Sequence, residues 1–172
     1  GLRTYVDVVF NHMANESDIR SDLTYPNEQD MASYQKDPEY YESIRLFGDL
    51  SESLFNENDF VEAFGIKNWK DTWEVQNGRI TGGASDPGLP TLLDNDNVVE
   101  QQRAYLKAMK AIGVKGFRID AAKHMTLSHL RKVWTDDICE EMHIFGEIIT
   151  DGGATEEEYQ LFLEPYLKHT RL

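Results

Sequence analysis

The sequence lacks the cysteines that a disulfide framework or a thiolate metal site requires. Cys139 is the only cysteine in 172 residues, so no intrachain disulfide can form. We interpret it as a small apolar side chain on a helix. Long hydrophobic runs are also missing, since no stretch approaches the roughly 20 apolar residues that span a bilayer. Residues 1–7 show no signal-peptide pattern, and we expect no membrane partner.

Basic side chains are few. The 17 lysines and arginines stand against 31 aspartates and glutamates, which gives a formal net charge of −14. Such a surface repels phosphate backbones, so we expect no nucleic-acid partner. Hydrophobic residues make up 40 % of the chain and aromatic residues 11 %, which is enough for a packed core and unlike a disordered tail.

Three short hydrophobic runs predict β-strands, at residues 5–10, 114–120 and 143–149. Their nearly continuous hydrophobicity is typical of strands that are covered on both faces in a parallel sheet. Helical spacing of apolar residues precedes the second run and follows both the second and the third. The alternation of strands and helices therefore predicts an α/β protein, either a (β/α) barrel or a doubly wound sheet.

The predicted helices have recognisable ends. Asn97, with Glu100 three residues on, predicts the start of a helix that Gly113 ends. A second helix is predicted over residues 128–141. A third follows a capping box at residues 155–158.

An irregular segment over residues 13–96 interrupts this alternation. It is rich in Asn, Asp, Glu, Ser and Gly and is too long for a loop, so it predicts a small subdomain. Within it, an Asn-Gly pair between β-favouring residues predicts a hairpin over residues 73–81. The expected organisation is a strand at 1–12, the insertion at 13–96 and strand–helix units at 97–172.

Polar residues end each predicted strand, where parallel α/β folds collect their reactive groups: Asn11 and His12, Asp120, and Glu147. Arg118 lies two positions before Asp120, so both side chains share a face, and the cation favours the ionised acid that a nucleophile requires. Glu147 follows mostly apolar residues, where desolvation favours the proton-donating form. Such a pair of acids cleaves glycosidic bonds, although acids at strand ends are also common as solvated loop starts.

Three segments resemble, in the same order, short sequence regions of the α-amylase family, glycoside hydrolase family 13. They are Asp7 to His12, Gly116 to His124, and Phe145 to Ile149, of which the second is the most specific. The insertion lies where that family carries its domain B. The resemblance implies a partial (β/α)8 TIM barrel, covering the third to fifth strand–helix units, with a domain B-like insertion.

The resemblance also implies an activity, the retaining cleavage of α-1,4-glucosidic bonds in starch or maltooligosaccharides. Asp120 would be the nucleophile and Glu147 the proton donor. Arg118 would orient Asp120, with Asp7 supporting it from behind. Contacts to the α-glucan substrate are implied for three further residues, His12, Lys123 and His124.

A structural calcium ion is the family's usual metal, bound between domain B and the barrel by oxygen ligands. Asn11 matches the family's side-chain ligand, and His124 matches the residue that offers its backbone carbonyl. Thr91, however, stands where an aspartate ligand is expected. A hydroxyl is a poor partner for a dication, so we expect calcium binding to be weak unless Asp94 or Asp96 substitutes.

Two other functions remain open from the sequence. One is a non-catalytic carbohydrate- or partner-binding module, whose saccharide binding survives Asp120→Asn and Glu147→Gln. The other is metal-dependent hydrolysis through residues that suit zinc or manganese, namely Asp7, His12, Asp120 and His124.

The remaining expectations concern surfaces and single residues. The edges of a partial barrel favour self-association. Trp69 and Trp73 suit a sugar-stacking platform, but core positions are the expected use of such aromatics. We interpret the other histidines as ordinary: His129, His143 and His169. The family's typical members are secreted or periplasmic, and the sequence itself assigns no compartment.

Overall fold

The computed structural model describes residues 1–14, 25, 28–39, 53–62, 64–81, 86, 88–150 and 155–169. Three parallel strands in these ranges form one sheet in the order β1-β2-β3. Their bounds are β1 (Tyr5–Val8), β2 (Gly116–Ile119) and β3 (His143–Gly146). The first residues of the strands pair with one another, Tyr5 with Gly116 and Gly116 with His143. The predicted parallel α/β arrangement is therefore present.

Helices in the described ranges lie between the strands and after the last one. They are α1 (Glu28–Lys36), α2 (Thr72–Asn77), α3 (Asp96–Ala111), α4 (Leu127–Val133), α5 (Asp136–Cys139), α6 (Glu156–Glu158) and α7 (Glu164–His169). Short 3₁₀ turns occur at Glu57–Asp59 and Ala122–His124, and a π-helical turn at Tyr159–Leu163 joins α6 to α7. No helix in the described ranges is both long and apolar enough to cross a membrane.

The main core lies between the sheet and helices α3 and α4. Phe117 and Ile119 of the central strand β2 are fully buried there. The helices contribute further buried side chains, namely Leu106, Met109, Leu130 and Val133. A smaller apolar cluster in the insertion is formed by Tyr25, Phe55, Phe60 and Leu92, together with Val98 of α3. Helix α3 thus contacts both the sheet's core and the insertion.

Helix α3 starts two residues earlier than the sequence predicted. The side chain of Asn95 accepts a hydrogen bond from the backbone of Val98 at 2.9 Å and caps the helix. Asn97 instead donates its amide to Asp59 Oδ2 at 2.9 Å, so its predicted capping role was wrong. The predicted end is confirmed, because Gly113 follows the helix with φ of +101°, a conformation that favours glycine.

The predicted hairpin over residues 73–81 was wrong, because residues Thr72–Asn77 form helix α2. Asp71 caps this helix by accepting hydrogen bonds from the backbones of Trp73 and Glu74, at 2.9 and 3.1 Å. Gly78 then ends it with φ of −85°, whereas the expected hairpin turn requires positive φ at this glycine. The aspartate before the segment outweighed the Asn-Gly signal.

The second predicted helix is divided into α4 and α5, with a break at Trp134 and Thr135. The Thr135 hydroxyl donates to Asp137 at 2.6 Å, a local bond that competes with a continuous helix. The strands are also shorter than predicted, since β1 ends at Val8 and β3 at Gly146. The capping box at residues 155–158 is confirmed.

Gly116 permits the close contact between β1 and β2. A Cβ atom there would lie 2.2 Å from the Tyr5 ring and 2.5 Å from the His143 carbonyl oxygen. We expect Gly116→Ala to lower the free energy of unfolding by about 1–3 kcal/mol, because the strands have to move apart. Denaturant unfolding measures this effect. Tyr5→Ala in the same chain should recover part of the loss, and an unchanged midpoint for Gly116→Ala would contradict the argument.

Candidate functional site

A cavity of about 540 Å³ opens at the carboxyl ends of the strands. Ligands of parallel α/β sheets are usually bound at these carboxyl ends of the strands. Six of the residues singled out in the sequence lie in its wall: His12, Trp69, Asp120, Lys123, His124 and Glu147.

Arg118 gathers three carboxylates. Its Nη1 lies 2.6 Å from Asp7 Oδ2 and 3.3 Å from Asp120 Oδ1, and its Nη2 forms an ion pair with Glu147. Asp7 and Arg118 are paired residues of β1 and β2, which explains their contact. The hydrogen bond to Asp7 is the main cause that raises the pKa of Arg118, so the guanidinium stays charged. The contact with Asp120 was predicted, whereas the pairing with Glu147 was not.

Backbone hydrogen bonds hold both acids at the sheet's edge. Asp120 N–H donates to the Val8 carbonyl at 2.9 Å, and Glu147 N–H donates to the Ile119 carbonyl at 2.8 Å. The residue after Asp120, Ala121, has φ of +49°. A left-handed alanine is strained, and such strain is common beside functional groups because the surrounding contacts enforce it. The turn thereby brings the Ala121 N–H to 3.4 Å from Glu147 Oε2.

His12 is held beside the acids by pairing with the insertion. It forms an antiparallel bridge with Thr91. On either side of it, Leu92 N–H donates to the Asn11 carbonyl and Met13 N–H to the Pro90 carbonyl, both at 2.9 Å. Burial lowers the pKa of His12, and the charge of Asp120 opposes that shift. The neutral imidazole is suited to bind a sugar hydroxyl.

Lys123 and His124 also line the cavity. The Lys123 ammonium donates to the Ile149 carbonyl at 2.6 Å and lies 5.6 Å from the centre of the Trp69 ring. His124 Nδ1 lies 2.9 Å from the Val75 carbonyl oxygen. Because a carbonyl only accepts, this nitrogen carries the proton. Burial lowers the pKa of His124 to about 4.

The two tryptophans of the insertion differ in place. Trp69 lines the cavity with 38 % of its surface exposed. Trp73 is 63 % exposed and stacks on Phe64, with ring centres 5.5 Å apart. The expectation that both are core residues was wrong, because the described part of the insertion has only small apolar clusters.

The residues expected at the calcium site bring no free carboxylate to the junction between the sheet and the insertion. Thr91 donates its buried hydroxyl to the Gly78 carbonyl at 3.1 Å. Asn11 directs its amide nitrogen to His12 Nδ1 at 3.2 Å. Asp94 accepts from Ser128 at 2.9 Å and pairs with Lys132 at 3.1 Å, and Asp96 is exposed at the start of α3. Calcium sites normally include carboxylate ligands, and these contacts provide none at the junction.

The zinc or manganese alternative gains no support from the geometry. No group of three or more His, Cys, Asp or Glu side chains in the described ranges could hold a metal ion. His124 uses one ring nitrogen on Val75.

Two residues near the site were not found from the sequence. Gln102 of α3 and His129 of α4 are 3 % and 4 % exposed and are hydrogen-bonded to each other, so the interpretation of His129 as an ordinary histidine missed this contact. A signal was present, because Gln102 lies at a helical spacing otherwise filled by apolar residues, which predicts a buried polar side chain.

Two carboxyl groups around one arginine, in a cavity at the carboxyl edge of a parallel sheet, are the arrangement expected of an α/β glycosidase. No protein-family model matches the chain. An α-amylase of Aeromonas hydrophila is 49 % identical over 170 residues, which cover 99 % of this chain and 37 % of that protein. The chain belongs to the α-amylase family. It spans about a third of the length of that relative.

Solved structures show the same fold relationship. A cyclomaltodextrin glucanotransferase matches with a TM-score of 0.62 and 19 % identity, over 90 % of this chain and 28 % of that one. The α-amylase of Geobacillus thermoleovorans, solved with acarbose, matches with a TM-score of 0.53 and 18 % identity, over 87 % and 26 %. The three parallel strands and their surroundings therefore match part of an amylase catalytic domain.

The buried histidines make stability dependent on pH. Burial lowers the pKa of both His124 and His129 to about 4, from an ordinary 6.5. Between these values the unfolded chain binds the protons and the folded chain does not, so stability is lost as pH falls. Between about pH 7 and about pH 5, each histidine should lower the free energy of unfolding by about 2 kcal/mol. Denaturant unfolding of the chain and of His129→Gln tests this, and equal pH slopes would contradict it.

The junction at Thr91 gives a prediction about metal. We expect the melting temperature of the unaltered protein to change by less than about 1 °C with a chelator, because its donors are neutral and hydrogen-bonded. In Thr91→Asp a buried carboxylate is added, so calcium should raise the melting temperature and a chelator should lower it. Thr91→Asn is the neutral control. A chelator that destabilises the unaltered protein would show that calcium binds without this aspartate.

Proposed function

We propose that this chain carries the acid pair of an α-amylase-type glycoside hydrolase, which cleaves α-1,4-glucosidic bonds in starch or maltooligosaccharides with retention. The carrying observation is that one guanidinium, that of Arg118, contacts both Asp120 and Glu147 in a cavity wall. The relative from Aeromonas hydrophila is named an α-amylase, and the Geobacillus thermoleovorans relative was solved with acarbose. Both names favour an α-glucan as the substrate class.

In the first chemical step, the Asp120 carboxylate attacks the anomeric carbon of the sugar. The glycosidic C–O bond breaks, and Glu147 gives its proton to the departing oxygen. This leaves a covalent glycosyl ester on Asp120 and an ionised Glu147. Arg118, 3.3 Å from Asp120 Oδ1, orients the nucleophile for the attack.

In the second step, the Glu147 carboxylate takes a proton from a water molecule. The water oxygen attacks the same carbon and displaces Asp120, which leaves as a carboxylate. Two inversions give net retention of the α configuration. Glu147 ends the cycle protonated, as it began.

The ion pair between Arg118 and Glu147 belongs to the substrate-free state. Arg118 Nη2 engages Glu147 Oε1, and the Ala121 N–H lies 3.4 Å from Oε2. Glu147 therefore has to give up one of these contacts when the glycosidic oxygen arrives. Arg118 keeps Asp7 and Asp120 as partners after that exchange.

The cavity wall supplies groups suited to sugars. His12 offers a neutral imidazole beside Asp120, and Lys123 offers an ammonium in the same cavity. The exposed ring of Trp69 lies near both Lys123 and His124 and presents a flat apolar surface. Flat rings suit pyranose faces, so we assign Trp69 to sugar stacking and place Lys123 on the leaving-group side.

The fold alone does not separate hydrolysis from transfer, since one of the matching structures is a glucanotransferase. The same covalent intermediate serves both reactions, with water or a sugar hydroxyl as the acceptor. We place the chain as the third to fifth strand–helix units of a (β/α)8 barrel. Its activity is therefore tested in the protein of native length, which would contain all eight units.

Asp120→Asn and Glu147→Gln should each lower the release of reducing sugar from soluble starch by about 10³-fold or more, because each removes a group that reacts directly. Glu100→Gln, which changes an exposed acid on α3, is the charge-matched control and should keep full activity. Product analysis with and without a maltose acceptor separates hydrolysis from transfer.

The binding-module alternative predicts a different result. Affinity for maltooligosaccharide, measured by calorimetry, would persist in both variants, and the unaltered protein would release no reducing sugar. Activity that survives both substitutions would overturn the roles assigned to Asp120 and Glu147.

A further inference from the structure

A row of buried hydrogen bonds connects helix α4, through helix α3, with the backbone just after β1. His129 Nε2 lies 2.7 Å from Gln102 Oε1, and Gln102 Nε2 lies 2.8 Å from the Phe10 carbonyl oxygen. Gln102 and His129 are 3 % and 4 % exposed. Both helices also contribute apolar side chains to the main core, and the charged groups Asp94 and Lys132 lie close enough to act on the His129 ring.

The donor and the acceptor of both hydrogen bonds can be assigned. The Phe10 carbonyl can only accept, so the Gln102 amide nitrogen donates to it. The Gln102 oxygen then faces His129, whose Nε2 must carry the proton. Burial keeps the His129 ring neutral at neutral pH by lowering its pKa to about 4. One tautomer of His129 and one orientation of the Gln102 amide therefore satisfy both hydrogen bonds.

Phe10 lies at a point where the sheet no longer holds the backbone. Strand β1 ends at Val8, whose carbonyl accepts from Asp120. The Phe10 side chain is only 8 % exposed, so its carbonyl needs a protein donor, which Gln102 supplies. Two residues further on, His12 enters the cavity, and two residues reach at most about 7 Å.

We propose that Gln102 and His129 are positioning residues for His12, which fix the backbone at Phe10 and so set the direction of the imidazole toward the reacting sugar. This inference rests on the proposed function. Fixed points then lie on both sides of His12, with Gln102 at Phe10 before it and the Pro90–Met13 bond after it.

A purely stabilising role does not explain this pair well. Burying a glutamine and a histidine costs desolvation that apolar side chains of similar size avoid. Hydrogen bonds differ from apolar packing because they are directional, and here they hold the Phe10 carbonyl oxygen at one place. The oxygen held here belongs to the segment that carries His12.

Gln102→Met keeps the size of the side chain and removes both hydrogen bonds. We expect kcat/KM for maltooligosaccharides, in the protein of native length, to fall by about 10- to 100-fold, because a small displacement of an active-site group is costly. Val133→Ala, in the same core and on α4, is the control for lost stability without a polar contact. It should lower the unfolding midpoint and leave kcat/KM within about 2-fold.

Two further comparisons separate positioning from packing. In a His12→Ala background, Gln102→Met should have almost no additional effect on kcat, because there is no imidazole left to position. His129→Gln, which can still donate to Gln102, should retain more activity than His129→Leu. Losses that multiply in the double variant, or equal losses for the two His129 variants, would overturn the proposal.

Amide hydrogen exchange tests the same inference without turnover. Met13 and Leu92 donate to Pro90 and Asn11 on either side of His12. Their amides should exchange faster in Gln102→Met than in Val133→Ala at matched global stability. Equal exchange would overturn the positioning role. Faster exchange in a protein that releases no sugar would leave the positioning of His12 standing while the proposed function failed.

Discussion

The charge of Arg118 is the constraint on which the candidate site depends. Three carboxylates, one on β1 and one directly after each of β2 and β3, would repel one another if they stood alone, and each contacts this one guanidinium. The arrangement requires the strands to be parallel and in register, because only then do Asp7 and Arg118 pair across β1 and β2. The register of the sheet therefore determines which charges meet in the site. A one-residue slip would turn Arg118 to the other face of the sheet.

The positions of His12 and His124 in the cavity depend on the junction between sheet and insertion. Backbone bonds pair residues 11–13 with residues 90–92, and the Thr91 hydroxyl extends this pairing to Gly78 at the end of α2. His124 Nδ1–H in turn donates a hydrogen bond to the Val75 carbonyl of helix α2. A short network of neutral hydrogen bonds thus connects both histidines of the site with the insertion, at the place where the family resemblance implies a charged metal site.

Patterns that depend on neighbours in sequence predicted this protein well. The strands, the parallel sheet, the capping box at residues 155–158 and the shared face of Arg118 and Asp120 all follow from periods of two or about four residues. The errors arose where two local signals competed, as between the Asp71 cap and the Asn77-Gly78 pair. Contacts between distant residues, such as Gln102 with His129 or Arg118 with Glu147, could not be predicted, because no local period relates their positions.

The contacts of Glu147 also bear on the proposed mechanism. Arg118 engages one oxygen of this carboxylate, Oε1, and the turn at Ala121 brings a backbone N–H to 3.4 Å from the other, Oε2. The proposed role needs one of these oxygens to face the glycosidic oxygen of a substrate. If the proposed function holds, a sugar in the cavity has to take the place of one of these donors before the proton can move. Arg118 would then remain with Asp7 and Asp120, its other two partners.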